Sequence, residues 1–164
     1  MKKHLDVIMA MSKDHYFGKK NLDDMSWTGR TDKLIFKALT FYENTTLLCG
    51  PNTAELLPTL PKRRIKVIRK SRAGFYDTLN ELYEEVSFKN LGKRKSGLEG
   101  AKLIGGPTLV QAAIEADLVR NAYITVIDKE LKSGIGRELS YLHFDFCHYE
   151  ELEFGSVKLR KYRV

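Results

Sequence analysis

Two apolar runs in this chain end on glycine and turn at once into a helix. Residues 45–49, TTLLC, run into Gly50-Pro51-Asn52-Thr53, and residues 101–104, AKLI, run into Gly105-Gly106-Pro107-Thr108. A short uninterrupted apolar run has no polar face to offer water, so it reads as a strand covered on both sides. Strands covered on both sides belong to mostly parallel sheets with helices on either face, and in such sheets ligands bind beyond the strand C-termini. Glycine at the turn lets another backbone or a phosphate approach closely. A helix N-terminus offers free N–H groups and a partial positive charge. Two such junctions in one sheet suggest a dinucleotide, although neither carries the GxGxxG fingerprint, and each alone can be an ordinary tight turn.

The rest of the chain fits that frame. LDVIMAM, residues 5–11, reads as a buried first strand, and Asp6 within it argues against a signal peptide. Residues 12–31 form a polar loop with Gly18 and Gly29, and a helix follows from Asp32. Asn52 can cap a short helix, with Glu55 three residues on. Residues 65–69 give a third strand, and 77–86 a helix capped by Asp77. KNLGKRKSGLEG is a basic loop. After the second junction a helix runs to about Asp117, with Leu109, Val110, Ala113 and Ile114 inward. YITVID, 123–128, is a fifth strand, and the last twenty or so residues are two strands joined at Gly155 and Ser156. The expected fold is a single α/β domain over 1–164: a central, mostly parallel twisted sheet with an antiparallel C-terminal edge, flanked by about four helices.

Composition sets limits. With 164 residues, 43% hydrophobic and 30% charged, the chain has an ordinary globular balance and length for one sizeable core. No long uncharged apolar run suggests a membrane span. Cys49 and Cys147 are too few for a disulfide framework and read as reduced core thiols of a cytoplasmic protein. The four histidines are scattered, so no metal site is expected. The net charge of +7 suits an enzyme for polyanionic small molecules or a nucleic-acid binder.

Asp32 is the residue that asks for chemistry. It lies three and four positions before Ile35 and Phe36, so it points at the apolar stripe of its own helix. It can serve the first turn as a cap or dipole partner. If it is instead buried, its charge costs stability unless a donor-bearing ligand offsets that cost. A flat heterocycle with an N–C–N edge of two donors fits a carboxylate bidentately. Trp27 just before the helix is core or pocket wall. Thr125 shares a strand face with Tyr123 and Ile127 and could bridge to Asp32. The cations Lys62, Arg63, Arg64, Arg69, Lys70 and Arg72 flank the third strand, where Arg69 to Arg72 could meet a further phosphate such as a 2′-phosphate.

These segments, in this order, resemble dihydrofolate reductase over nearly the whole chain. MAMSKDHYFG is similar to the family's first strand and the start of its mobile active-site loop. MSWTGRTDKLIFKALT resembles its tryptophan and the acid-bearing first helix. LLCGPNTAELL, LPKRR-IKVIRKS, LIGGPTLVQAAI and YITVI resemble its cofactor turn, Leu-Pro-x-Arg segment, glycine junction and threonine-bearing strand. The resemblance implies NADPH as hydride donor and dihydrofolate as acceptor. Asp32 would hold the pteridine and promote protonation of N5, with Thr125 hydrogen-bonded to it and Trp27 beside it. Ile8, Met9, Ala10, Met25, Phe36, Leu57 and Ile104 would line the pterin, nicotinamide and benzoyl contacts. Arg64, or Arg63 if the register slips by one, would meet the glutamate carboxylate. Ala10, Gly18, Gly50, Asn52, Thr53, Arg69, Lys70, Ser71, Gly105, Gly106, Thr108 and Leu109 would serve the cofactor. The Gly105–Gly106 peptide would be cis.

The chain departs from the family pattern at three places. Pro51 replaces the arginine expected after Gly50, which removes a charge from the 2′-phosphate. Val110 replaces an aromatic residue near the nicotinamide. The loop from Gly18 to Trp27 is about two residues longer than in many members. Two alternatives remain at this level: another reductase of the same fold, such as the pyrimidine reductase of riboflavin synthesis, and a small basic nucleic-acid-binding module. The first lacks the Trp-to-Asp helix start, and the second gives the glycine junctions no role. The expected partners are therefore dihydrofolate and NADPH, with no membrane or nucleic acid, for a monomeric chain.

Overall fold

The computed structural model describes residues 5–20, 25–40, 46–58, 60, 63–68 and 101–164. Seven strands form one sheet in the order β3-β2-β4-β1-β5-β7-β6. They are β1 (Leu5–Ser12), β2 (Thr46–Cys49), β3 (Arg64–Val67), β4 (Ala101–Gly105), β5 (Val119–Ile127), β6 (Tyr149–Phe154) and β7 (Val157–Arg163). The first five run parallel, β7 is antiparallel to β5, and β6 is antiparallel to β7. The expected mostly parallel sheet with an antiparallel C-terminal edge is thus observed. Helices α1 (Gly29–Thr40), α2 (Pro51–Leu56) and α3 (Pro107–Glu115) follow strands or lead into them, and a fourth turn, Arg137–Leu139, continues as a π-helical turn over Ser140–Phe144. The helix expected at 77–86 with its cap Asp77, the basic loop, and Lys62, Arg69, Lys70, Ser71 and Arg72 lie outside the described residues.

Strand alternation sorts the core into two layers. Leu5, Val7 and Met11 of β1 pack with Leu48, Leu103, Ala122 and Ile124 beneath α3, whose Val110 and Ala113 are buried there. Ile8 and Ala10 point to the other face, where α1 supplies Ile35, Phe36 and Leu39. Phe144, from the π-helical turn, closes the first layer against Phe17 and Tyr162, with ring centroids 6.1 and 5.1 Å away. The outermost strand, β6, is exposed along its length. Its Glu150, Glu151 and Glu153 stand opposite Lys161, Arg160 and Lys158 of β7, and a charged edge of this kind discourages further strand pairing.

Several boundaries differ from the sequence expectation, each for a physical reason. Helix α1 begins at Gly29 rather than Asp32, because a 3-10 turn over Met25–Thr28 runs directly into it. Gly29, at φ 80, makes the joint between the two. Asn52 is not the cap of α2. Proline fits the first helical position, so Pro51 takes it and Gly50 becomes the N-cap, with no side-chain cap bond. Strand β5 starts at Val119, four residues early, because β1 pairs with it from Leu5 to Ser12. Strand β3 covers Arg64–Val67 instead of 65–69. Cys49 is buried as expected, whereas Cys147 is only half-buried, its thiol donating to the His143 carbonyl at 3.1 Å.

Asp6 sits at the opposite end of the sheet from the glycine junctions, 3% exposed. Burial alone would raise its pKa. Arg120 and Lys102 overcome that with hydrogen bonds and charge, and the carboxyl is held below the usual aspartate value. Lys102 Nζ lies at 2.8 Å and Arg120 Nη2 at 3.1 Å, with Asn121 Nδ2 donating at 3.3 Å. Arg120 is half in solvent and Lys102 is shielded, so the Lys102 pair is the less screened of the two. Replacing Asp6 by alanine strands that lysine, and a loss of about 3 kcal/mol is expected by urea unfolding at neutral pH. Because the folded pKa is lowered, this contribution is present above the ordinary aspartate pKa and is lost as pH falls through the folded value. The difference between wild type and Asp6→Ala should therefore shrink in acid.

Candidate active site

The α1-facing layer of the sheet carries a second acid in a different setting. Asp32 lies in the first turn of α1 and points at β5. Its carboxyl accepts hydrogen bonds from the side chains of Thr28 and Thr125. Thr125 is 2% exposed and stands beside Ala10 in the β1–β5 register. Burial raises the Asp32 pKa above the usual carboxylate value, and the two hydroxyls and the Lys33 charge only partly counter it. Among the described residues Asp6 has two cations at bonding distance and Asp32 none, so burial prevails over the summed opposing effects at Asp32 and not at Asp6. The Thr28 hydroxyl has a single proton and a second acceptor, the Met25 carbonyl at 2.9 Å. When Asp32 is protonated, it can donate to Thr28 Oγ1 while Thr28 donates to Met25; when it is ionised, Thr28 can donate to it.

Apolar groups surround this acid. Ile8, Leu47, Cys49 and Ile104 form a buried cluster, against which Phe36, Ala54, Leu57, Leu60 and Tyr123 pack. Trp27, 6% exposed, joins Ala10, Ile35, Ile127 and Val157 in an adjoining cluster. Of the predicted lining residues, the structure thus gathers Ile8, Ala10, Phe36, Leu57 and Ile104 on one face with Asp32, Thr125 and Trp27. Met25 stands at the rim in the 3-10 turn, about one third exposed. Met9 is a correction: strand alternation turns its side chain to the α3 layer, where its Cε lies 3.5 Å from where a Cβ on Gly105 would be. The structure adds Thr28, Ala54 and Leu60 to this face, beside Tyr123, the strand-face neighbour of Thr125. Of the three, Thr28, a threonine four residues before the acid, is legible in the sequence as a helix-start signal.

The two glycine junctions meet because β2 and β4 are neighbours. Cys49 pairs with Gly105, and the Gly50 amide donates to the Gly105 carbonyl at 2.9 Å. The Gly105–Gly106 peptide is cis. Gly105 has φ 130, where any side chain is strained, and a Cβ there would lie 3.3 Å from Thr53 Oγ1, a tight contact that adds to the strain. Helices α2 and α3 both begin with a glycine N-cap and proline, and neither has a side-chain cap bond. Proline brings no N–H, so among the described residues the amides left for an outside acceptor are those of Asn52 and Thr53 and of Thr108 and Leu109. Asn52 and Thr108 are exposed at these ends and Thr53 is half-buried. Leu109 packs on the core beneath, and Val110 is fully buried there, away from the ligand face.

Gly18 joins the site indirectly. Its carbonyl accepts the Ile135 amide at 2.9 Å, the Ile135 carbonyl accepts the Phe17 amide at 2.9 Å, and a Cβ at Gly134 would collide with the Gly18 carbonyl oxygen. Arg64 is exposed on β3, whereas Arg63 reaches back to α1, donating to the Thr40 and Lys37 carbonyls at 3.4 and 3.5 Å. A separate cleft of about 440 Å³, lined by Lys13, Asp14, His15, Arg137, Ser140, Tyr141 and Asp145, contains none of these residues.

Comparison with known proteins decides the family. Residues 4–153 match the family model for dihydrofolate reductase. The chain belongs to the dihydrofolate reductase family. Dihydrofolate reductase type 1 of Escherichia coli is 30% identical over 132 residues, covering 80% of this chain and 79% of that protein. Dihydrofolate reductase type 15 of Escherichia coli is 29% identical over 131 residues, with the same coverage. A crystal structure named for riboflavin biosynthesis, from Shewanella sp. PV-4, superposes with a TM-score of 0.59 over 98% of both chains, at 15% identity. That likeness is one of fold. The activity of the chain is that of its family, NADPH-dependent reduction of dihydrofolate. No helix among the described residues is long and apolar enough to cross a membrane.

The raised pKa of Asp32 has a stability consequence. An acid whose folded pKa is raised contributes stability below its unfolded pKa and loses it as pH rises through the folded value. Asp32→Asn keeps an acceptor for Thr125 and removes the desolvated charge. It should melt above wild type at pH 7, and the gap should close at about pH 3, where wild type is protonated. Thermal unfolding followed by circular dichroism at the two pH values checks the sign.

Proposed function

We propose that Asp32 is the group that holds the substrate pterin and promotes protonation of its N5, on the face lined by Ile8, Ala10, Phe36, Leu57 and Ile104. The observation that carries this is the carboxyl's position: partly desolvated, without a bonded cation among the described residues, and fixed between α1 and β5 by Thr28 and Thr125. An anion so placed gains most from a flat ligand presenting two adjacent N–H donors, because the pair forms out of water. Its raised proton affinity brings it closer to neutral pH, which suits a group that supports protonation of N5. Trp27, buried beside Ala10, fixes the wall next to the acid.

The residues present fit the cofactor. Two helix N-termini with free amides lie side by side, and Gly50, Gly105 and Gly106 keep their surfaces clear of side chains. Anionic phosphates are the ligands that such ends favour. Asn52, Thr53 and Thr108 would add donors, and the Ala10 backbone and Gly18 would border the nicotinamide end. NADPH, when bound, supplies the hydride that reduces the substrate at C6. With Pro51 carrying no charge, any cation on the 2′-phosphate would come from Arg69, Lys70 or Arg72.

For the glutamate carboxylate, Arg63 is favoured over Arg64. Its guanidinium is already anchored at the end of α1, whereas Arg64 extends from β3 into solvent. The sheet draws on strands from Leu5 to Arg163, which supports one reductase domain over 1–164. Two free thiols suit a cytoplasmic location. The alternative pyrimidine reductase finds support in a fold likeness alone, at 15% identity.

Oxidation of NADPH at 340 nm with dihydrofolate tests the assignment. Asp32→Asn should lose roughly 10²- to 10⁴-fold in kcat at pH 7. Its residual rate should climb toward acid pH, where substrate arrives already protonated. Wild-type activity in the variant, or a flat pH profile, would remove Asp32 from the role. Arg63→Ala should raise KM for dihydrofolate about tenfold with kcat little changed, and Arg64→Ala should leave KM near wild type.

A further inference from the structure

Lys33 follows Asp32 in the sequence, but consecutive helical residues do not face each other, and an exposed lysine normally extends into water, where its charge is screened. This one folds back. Its Nζ donates to the Met25 carbonyl at 3.2 Å and lies 3.5 Å from both the Gly29 carbonyl and Thr28 Oγ1. Three oxygens meet the three N–H donors of one ammonium. The Thr28 hydroxyl in that cradle is the same hydroxyl that bonds the Asp32 carboxyl.

We propose that Lys33 is a positioning residue of the reductase site: its anchored ammonium holds the 3-10 turn bearing Trp27 and Thr28 against α1 and fixes a positive charge beside Asp32. The proposal deepens the reductase assignment above and rests on it. The elements packed around Asp32 leave this charge without a rival. The turn contributes Met25, Ser26, Trp27 and Thr28, none of them charged. Strand β5 contributes Thr125, with Tyr123 on the same face, and β1 contributes Ile8 and Ala10. Arg30 is exposed on α1. Among the described residues, Lys33 is the charge that bears on Asp32, and it acts against burial. Burial pushes the acid toward its neutral form, and the fixed ammonium preserves the anion that grips the pterin. An exposed lysine in a fixed place is thereby used where a buried ion pair, as at Asp6, would hold the anion too firmly to give up its charge.

The test is the titration of Asp32 by carboxyl ¹³C NMR, with the resonance identified by its absence in D32N, in ligand-free wild type, K33M and K33R. K33M should raise the proton affinity of Asp32 about threefold. K33R, which keeps the charge, should titrate as wild type. The descending limb of kcat/KM against pH should move to higher pH by the same factor in K33M. Identical titration of K33M and wild type overturns the proposal, as does a K33R that behaves like K33M. A lysine that merely braced the fold would lower the melting temperature and leave the titration in place, and that result also counts against it. The titration needs no turnover, so an inactive wild type would refute the reductase assignment while the role of Lys33 was still decided.

Discussion

The hydrogen bond from Thr125 to Asp32 joins the two halves of the site. It links the first turn of α1 to the middle of β5, and through the pairing of Ala10 with Thr125 it places the acid over β1. Helix α1 would be held on the sheet by Ile35, Phe36 and Leu39 in any case. What the polar bond adds is a fixed azimuth and height for the carboxyl. An acid buried among apolar groups is costly unless its oxygens are satisfied, and two hydroxyls satisfy them without neutralising the charge. The fold therefore keeps an acid that is ordered and still able to titrate.

Asp6 and Asp32 show how one sheet face supports opposite electrostatics. Strand alternation puts Asp6 on the same side as Ile8 and Ala10. At the N-terminal end of the strands, Lys102 and Arg120 fix Asp6 as an anion that braces the edge of the sheet. At the other end, hydroxyls take the place of cations and the proton affinity rises. Two carboxyls on one sheet face thus have their pKa values driven in opposite directions by their neighbours.

The parallel topology also sets the two glycine junctions. Because β2 and β4 are adjacent, two helices begin side by side, with glycines in contact across the gap. The segment after β1 is tied down separately. Ile135 exchanges main-chain hydrogen bonds with Phe17 and Gly18, and Asp14 accepts the Leu131 and Lys132 amides at 3.0 and 2.7 Å. That segment thus depends on a connection more than a hundred residues downstream, through main-chain bonds and the Asp14 carboxylate.

The sequence by itself determined the class of fold and the chemical types present. Apolar runs ending on glycine specify buried strands and tight turns, and an acid on an apolar helix stripe announces an anion short of water. These signals are local, since each depends on residues within one turn or one strand. Only the tertiary structure decided which side chains meet. It turned Met9 away from the ligand face, gave the α2 cap to Gly50, brought Thr28 and Lys33 to the acid, and set Arg63 rather than Arg64 at the end of α1. Those outcomes follow from strand register, from where a proline can sit and from how one turn docks on another, and a one-residue change in any of them points a side chain elsewhere. Periodicity states which residues want cover; packing alone selects what covers them.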